Sequence, residues 1–141
     1  MKQDIHVWYD QEGDFLELCI GKPAASYAED VMSNVFVRFD ENTHQIKSIG
    51  ILNVSKTSQI SIPLINLNLS YDRSADTLDF SFGQDNDVSF ENAGDNLFQR
   101  IDRKTGCTTG LRIVHLTESK KKFIDRHLSS FEIPQIMSPR L

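Results

Sequence analysis

The sequence has little of several features on which whole classes of protein depend. Its 141 residues include only two cysteines, Cys19 and Cys107, neither in a CxxC pair, and only seven glycines. Free cysteines are therefore expected, without a disulfide framework or a zinc site. The glycine motifs that bind phosphate, GxxxxGK[ST] and GxGxxG, are absent, and so is the GxSxG turn of many hydrolases. These absences favour a protein that is not an enzyme.

Basic charge and long apolar runs are also scarce. The formal net charge is -5, which argues against general nucleic-acid binding, because Lys and Arg supply most of the non-specific affinity for phosphates. No apolar run approaches the roughly 18 residues that span a bilayer. The first residues, MKQDIHVWYD, contain acids where a signal peptide needs apolar side chains. We therefore expect a cytoplasmic protein that does not bind membranes.

The size and composition predict one folded domain over residues 1–141. The chain is 39% hydrophobic and 25% charged, well away from the composition of disordered proteins. A domain of about 150 residues buries about 70% of its unfolded surface. A single core can therefore form, and the sequence predicts no cofactor.

The strongest pattern is an internal repeat with an offset of 62 residues. HVWYDQEGDFLELCIG, at the start, returns as NLSYDRSADTLDFSFG. Aligning residues 8–52 with residues 70–114 needs no gap and gives twelve identities in 45 pairs, where unrelated sequences give about three. The sequence therefore predicts two copies of one structural unit.

Each copy alternates apolar and polar side chains as β-strands do. Leu16, Leu18 and Ile20 show this alternation in the first copy. The acidic stretches DQEGD and DRSAD predict hairpin loops of about four or five residues between the first two strands. Third strands are expected near residues 34–40 and 96–102, and fourth strands at 45–54 and 107–116. The repeats, about 5–56 and 67–117, are thus predicted to be four-stranded antiparallel meanders.

The predicted fold is mainly β, with the two meanders related by a pseudo-two-fold axis in a sandwich or partly open barrel. One C-terminal helix is expected at about 118–130, because Phe123, Ile124, Leu128 and Phe131 form a helical stripe. An extended tail, residues 131–141, would follow it. The duplication predicts a monomer built as an internal pseudo-dimer and leaves a homo-oligomer open.

The first copy resembles the small bacterial proteins grouped as domain of unknown function 2283. The resemblance lies in VWYDQEGDFLEL and SNVFVRFDENTHQIKSIGILNVS. The matching positions are Tyr9, Asp10, Asp14, Leu16, Asp40, Ile46, Ile51, Leu52 and Ser55. The second copy matches at Tyr71, Asp72, Asp76, Leu78, Asp102 and Ile113 and departs at LRIVHLT. The resemblance implies a fold more than a function, since that family has no established activity, catalytic residue or cofactor.

Carboxylates cluster in the two hairpin turns. Asp10, Glu12 and Asp14 alternate as in the first half of a calcium loop, and Asp72 and Asp76 recur in the second copy. No Gly-x5-Glu continuation completes such a loop, and Asp at a hairpin end commonly caps its own turn. Turn capping is therefore the preferred interpretation, and divalent-ion (calcium) binding is the alternative.

The last quarter of the chain carries the candidates for partner binding. Residues 117–141 hold five basic and three acidic side chains, while the rest of the chain is acidic. The candidates are Lys120, Lys121, Lys122 and Arg126 in the predicted helix and Ile133, Ile136 and Met137 in the tail. The histidines His6, His44, His115 and His127 show no metal-ligand spacing, so ordinary positions are expected for them.

Three functions remain open from the sequence. The preferred one is a non-catalytic intracellular module that binds or regulates another protein, of which an antitoxin-like or immunity-like role is a special case. The second is calcium binding at the hairpin turns. The third is a hydrolase whose Ser, Cys or His converges with carboxylates only in the fold.

Overall fold

The computed structural model describes residues 2–63, 66–83, 87–118 and 123–132, and these residues are mainly β. The strands are, in chain order, β1 (Lys2–Asp10), β2 (Phe15–Ile20), β3 (Ser26–Met32), β4 (Val35–Asp40), β5 (Ile46–Leu52), β6 (Gln59–Ile62), β7 (Leu67–Asp72), β8 (Thr77–Phe82), β9 (Val88–Gly94), β10 (Leu97–Asp102), β11 (Thr108–Val114) and β12 (Phe123–Glu132). A short 3-10 turn, Val54–Lys56, follows β5. No helix in the described ranges is long and apolar enough to cross a membrane.

The repeat appears in the structure strand by strand. Strands β2 to β5 have counterparts, β8 to β11, that begin and end at the equivalent positions of the second copy. The predicted hairpins are present as well, with residues 11–14 and 73–76 joining the first two strands of each copy. The sequence thus predicted both the duplication and the hairpins that open each copy.

The strands form two six-stranded antiparallel sheets. Their orders are β3-β4-β5-β2-β1-β12 and β9-β10-β11-β8-β7-β6. A single parallel pairing, of Thr108 with Phe131, connects them. Within the described residues, β3, β9 and β6 pair on one side only, so the sheets do not close into a barrel.

The sixth strand of each sheet joins the two copies. Strand β6 follows the first copy and pairs with β7, the first strand of the second copy. Strand β12 follows the second copy and pairs with β1, the first strand of the first copy. Each copy therefore supplies the strand that completes the sheet of the other.

The inner faces of both sheets contribute to one hydrophobic core. The buried side chains alternate along the strands, as in β2, where Leu16, Leu18 and Ile20 are buried and their neighbours are partly exposed. Tyr9 and Tyr71 stand at equivalent positions of the two copies and are both buried in this core. The core thus holds two phenol rings whose hydroxyl groups need hydrogen-bond partners.

The prediction of four-stranded meanders is wrong in two respects. Each copy contains a fifth strand, β3 or β9, before the predicted third one, and β5 pairs with β2 as well as β4. The missing strands, SYAEDVM and VSFENAG, lie at sheet edges and bury little apolar surface. Their sequences therefore lack the alternation on which the strand prediction depended.

The predicted C-terminal helix is also wrong, because residues 123–132 form strand β12. Ile124 and Leu128 lie on one face of this strand at an even spacing. The register then shifts by one residue, because β12 has three residues from Leu128 to Phe131 where β1 has two from Gln3 to Ile5. This β-bulge in β12 leaves Leu128 and Phe131 both buried although they are three residues apart. The bulge reproduces the spacing of a helical stripe within a strand. The predicted tail begins inside β12, and residues 133–141 lie outside the described ranges.

Candidate functional site

A polar cluster at the end of each opening hairpin contains the carboxylate that the sequence singled out. In the first copy, Asp14 ends the turn in a left-handed backbone conformation with φ 51°. Its carboxylate accepts hydrogen bonds from the Tyr9 hydroxyl at 2.9 Å, the Ser55 amide at 3.1 Å and the Ser55 hydroxyl at 2.7 Å. The side chain of Asp14 thereby ties the hairpin to the turn that follows β5.

The second copy repeats this cluster with a more buried carboxylate. Asp76 is 5% exposed. It accepts hydrogen bonds from the Tyr71 hydroxyl at 2.5 Å, the Thr117 hydroxyl at 2.9 Å and the Thr117 and Glu118 amides at 3.1 Å. Ser55 and Thr117 are equivalent positions of the repeat, so the two copies retain the same three-part cluster.

Burial and these hydrogen bonds change the pKa values in both clusters. Burial, followed by the hydrogen bond to Asp76, raises the pKa of Tyr71 to about 12. Burial and the hydrogen bond to Asp14 also raise the pKa of Tyr9, and the negative charges of Asp14 and Asp76 contribute. Burial acts to raise the pKa of Asp76, but the donors, Tyr71 first, outweigh it and lower that pKa. The tyrosines are therefore held neutral and Asp76 is held ionised.

Replacing Tyr71 with phenylalanine is expected to lower the free energy of unfolding by about 1 to 2 kcal/mol, because Asp76 loses its shortest hydrogen bond. Urea denaturation of the wild type and Tyr71→Phe measures the difference. In a background that already carries Asp76→Ala, the same substitution should cost much less. Equal losses in both backgrounds would contradict a role of the hydroxyl through Asp76.

Asp10 and Asp72 begin the two hairpin turns and cap them. Asp10 accepts a hydrogen bond from the Glu12 amide at 3.0 Å. Asp72 accepts from the Ser74 hydroxyl at 2.7 Å and the Ala75 amide at 3.3 Å, and the Ser74 hydroxyl is the main cause of its lowered pKa. In the described part of the chain, none of the five predicted calcium ligands belongs to a group of three converging ligand atoms. The arrangement matches the turn-capping interpretation.

Most of the predicted partner-binding residues lie outside the described ranges, namely Lys120, Lys121, Lys122, Ile133, Ile136 and Met137. Arg126 is described, but it lies on β12 and not on a helix. Its guanidinium donates a hydrogen bond to the carbonyl oxygen of Ala93, on strand β9. Arg126 therefore contacts the edge of the second sheet.

Sequence reasoning missed a cluster of His6, Asp125 and His127. His6 on β1 and His127 on β12 are direct cross-strand partners, and their rings stack with centroids 4.2 Å apart. The Nε2 atom of His6 contacts the Asp125 carboxylate. One potential ligand atom from each residue lies within 4.8 Å of the others. The only available signal was the pair Asp125 and His127, which share a face if residues 123–132 form a strand.

A cavity of about 440 Å³ opens beside this cluster on the outer face of the first sheet. His6 and His127 line it, together with Glu17, Cys19, Lys22, Arg38, Lys47 and Ser48. Burial, with Glu17 as the next cause, raises the pKa of Cys19 to about 11, so this thiol is held protonated. A protonated thiol beside a carboxylate is a poor nucleophile, and this geometry does not favour a cysteine hydrolase.

Comparison of the chain with protein-family models, curated proteins and solved structures finds no match. The resemblance to domain of unknown function 2283 therefore stays a prediction.

Proposed function

We propose that the chain is a non-catalytic protein-binding module that accepts an extended, basic segment of a partner protein along strand β3. The observation that carries the proposal is the open edge of the first sheet. In the described residues, β3 pairs with β4 alone. An edge strand offers unpaired backbone N–H and C=O groups, to which a further strand can be added.

Exposed apolar side chains lie beside the turn from β3 to β4, next to this edge. Three large hydrophobic side chains are prominently exposed among the described residues, and two of them, Met32 at 42% and Leu52 at 43%, lie here. They line a groove of about 390 Å³ beside the turn from β3 to β4. Such side chains supply the apolar contact that backbone pairing alone does not provide.

The charge of the edge favours a basic partner. Asp30 is exposed on β3 and lines the same groove, and the whole chain carries a net charge of -5. Opposite charge increases the rate of encounter and disfavours acidic competitors. An antitoxin-like or immunity-like protein, which neutralises a basic target, is one case of this function.

The equivalent edge of the second sheet is less open. The exposed ring of Phe90 on β9 lies under the guanidinium of Arg112, 4.1 Å from it. Arg126 also bonds to Ala93 near the end of β9. The two edges are equivalent in sequence position but differ in access, and this difference supplies an internal control.

The test uses the purified chain to capture proteins from its native cell, followed by chemical cross-linking and mass spectrometry. Cross-links are expected at residues 26–34 and to a basic segment of the partner. Changing Asp30 and Met32 to lysine should weaken binding about tenfold or more, because like charges then face each other at the edge. Circular dichroism shows whether the variant remains folded.

Two matched variants complete the test. Glu91→Lys makes the same kind of charge change at the edge of the second sheet and should leave binding unchanged. Deletion of residues 133–141, which spares the buried Phe131, should also leave it unchanged. Loss of the partner with either variant would refute the β3 proposal. Cross-links confined to the C-terminal tail would also refute it, and would identify that tail as the binding segment.

A further inference from the structure

We propose that His6, Asp125 and His127 bind a divalent transition-metal ion, with Zn²⁺ as the reference ion. The site is distinct from the hairpin carboxylates and from the β3 edge. It lies where the last described strand pairs with the first. The inference goes beyond the proposed function, since neither depends on the other.

Strand pairing places the three side chains on one outer face. His6 lies opposite His127, and Asp125 precedes His127 by two residues, which returns to the same face of β12. Each offers one ligand atom, and these atoms lie within 4.8 Å of one another. Tetrahedral zinc with bonds of 2.0 to 2.2 Å needs ligand atoms about 3.3 Å apart. Side-chain rotations therefore have to bring the three ligand atoms closer together.

The two imidazole rings have to leave their stacked arrangement to bind one ion. They are nearly parallel, with an interplanar angle of 5°, whereas an ion bound by a ring nitrogen lies near the plane of that ring. Rotation of the rings is therefore part of the proposal. The NMR signals of both histidine rings are therefore expected to change on metal binding.

The ligand types select the class of metal. Two imidazoles and one carboxylate suit Zn²⁺, Ni²⁺ or Cu²⁺, while Ca²⁺ prefers six to eight oxygen atoms. Three protein ligands leave coordination positions for water or an added ligand. His6 and His127 also line the 440 Å³ cavity, so an added ligand has room beside the ion.

A second observation points to an occupant of that cavity. The hydroxyl oxygen of Ser48, a residue 4% exposed, is buried without a hydrogen-bond partner in the described structure, and Ser48 lines the cavity. Buried polar atoms are normally satisfied by protein, water or ligand. Lys47 and Arg38 line the same space, which fits water or an anion carried by the metal.

The experiment is calorimetric titration of untagged, metal-free protein with ZnCl₂, and separately with CaCl₂. One Zn²⁺ per chain is expected, with no comparable binding of Ca²⁺. His6→Ala, His127→Ala and Asp125→Asn should each weaken Zn²⁺ binding about tenfold or more. His115→Asn is the matched control, because Asn53 holds the equivalent left-handed position in the first copy; it should bind as the wild type does.

Two readouts on the wild-type chain keep the proposal testable if a variant fails to fold. NMR of the histidine rings should show changes at His6 and His127 on addition of Zn²⁺, and none at His44 or His115. Co²⁺ in place of Zn²⁺ should give a spectrum without thiolate charge-transfer bands. Absence of Zn²⁺ binding, ring changes elsewhere, or thiolate bands from Cys19 or Cys107 would each overturn the assignment.

Discussion

Replacing Asp76 with alanine is expected to lower the free energy of unfolding by about 3 to 5 kcal/mol. The Tyr71 hydroxyl, the Thr117 hydroxyl and two backbone amides would all lose the carboxylate that accepts from them. Buried donors left without an acceptor cost more than the net value of the bonds themselves. Chemical denaturation followed by circular dichroism measures the change.

Asp72 provides the matched control for Asp76. It lies four residues earlier, at the start of the same turn, and is exposed. Among the described residues, its carboxylate accepts hydrogen bonds from Ser74 and Ala75 of that turn. Asp72→Ala should therefore cost much less than Asp76→Ala. Similar losses for the two variants would show that the buried cluster does not stabilise the fold.

The pH dependence of stability gives a second readout for Asp76. Its pKa in the folded chain is lowered, so the stabilisation is complete above the ordinary aspartate pKa of about 4. It is lost as the pH falls from there through the folded pKa, because the unfolded chain binds the proton first. Asp76→Ala should therefore lose less stability than the wild type between neutral and acidic pH.

Replacing Phe131 with alanine is expected to cost about 3 to 5 kcal/mol, the usual range for a buried aromatic side chain. Phe131 is 0% exposed and lies on β12, where it pairs with both β1 and β11. Its loss leaves a cavity at the point where the two sheets meet. Urea denaturation of the variant and the wild type measures the cost.

Phe90→Ala is the control of the same residue type. Phe90 is 39% exposed and contacts Arg112 at the surface, so its removal should cost about 1 kcal/mol or less. If Phe131→Ala is no more costly than Phe90→Ala, then β12 does not complete the core. The contrast therefore tests whether Phe131 of β12 belongs to the core.

The parts of the fold that the sequence predicted are those with buried side chains at regular spacing. Leu16, Leu18 and Ile20 alternate strictly, and their strand was placed correctly. Strand β3 exposes every second residue from Ala28 onwards and is held mainly by backbone hydrogen bonds to β4. Backbone pairing does not depend on side-chain type, so the sequence of β3 gives little indication of a strand. The bulge in β12 changed a period of two into a helical spacing. The missed strand β3 and the helix predicted in place of β12 are both errors at positions where strand pairing, and not side-chain composition, determines the structure.

The candidate sites also differ in whether the sequence pattern indicates them or only strand pairing brings them together. The repeat itself indicated that Asp14 and Asp76 matter, because both copies retain them, but it could not show that Tyr9 and Tyr71 donate to them. His6 and His127 lie at opposite ends of the described chain and meet only through the pairing of β1 with β12. The spacing of Asp125 and His127 indicates only part of this cluster. Only the topology brings its members together.

The exchange of sixth strands makes each copy depend on the other for a complete sheet. Neither copy contains all six strands of a sheet, so local opening of one copy removes a strand from the other. A chain that ended before residue 123 would leave one side of β1, a nine-residue strand, without a partner. A free edge of that length recruits strands from other chains, by domain swapping or by aggregation. The last strand thus protects the first from association with other molecules.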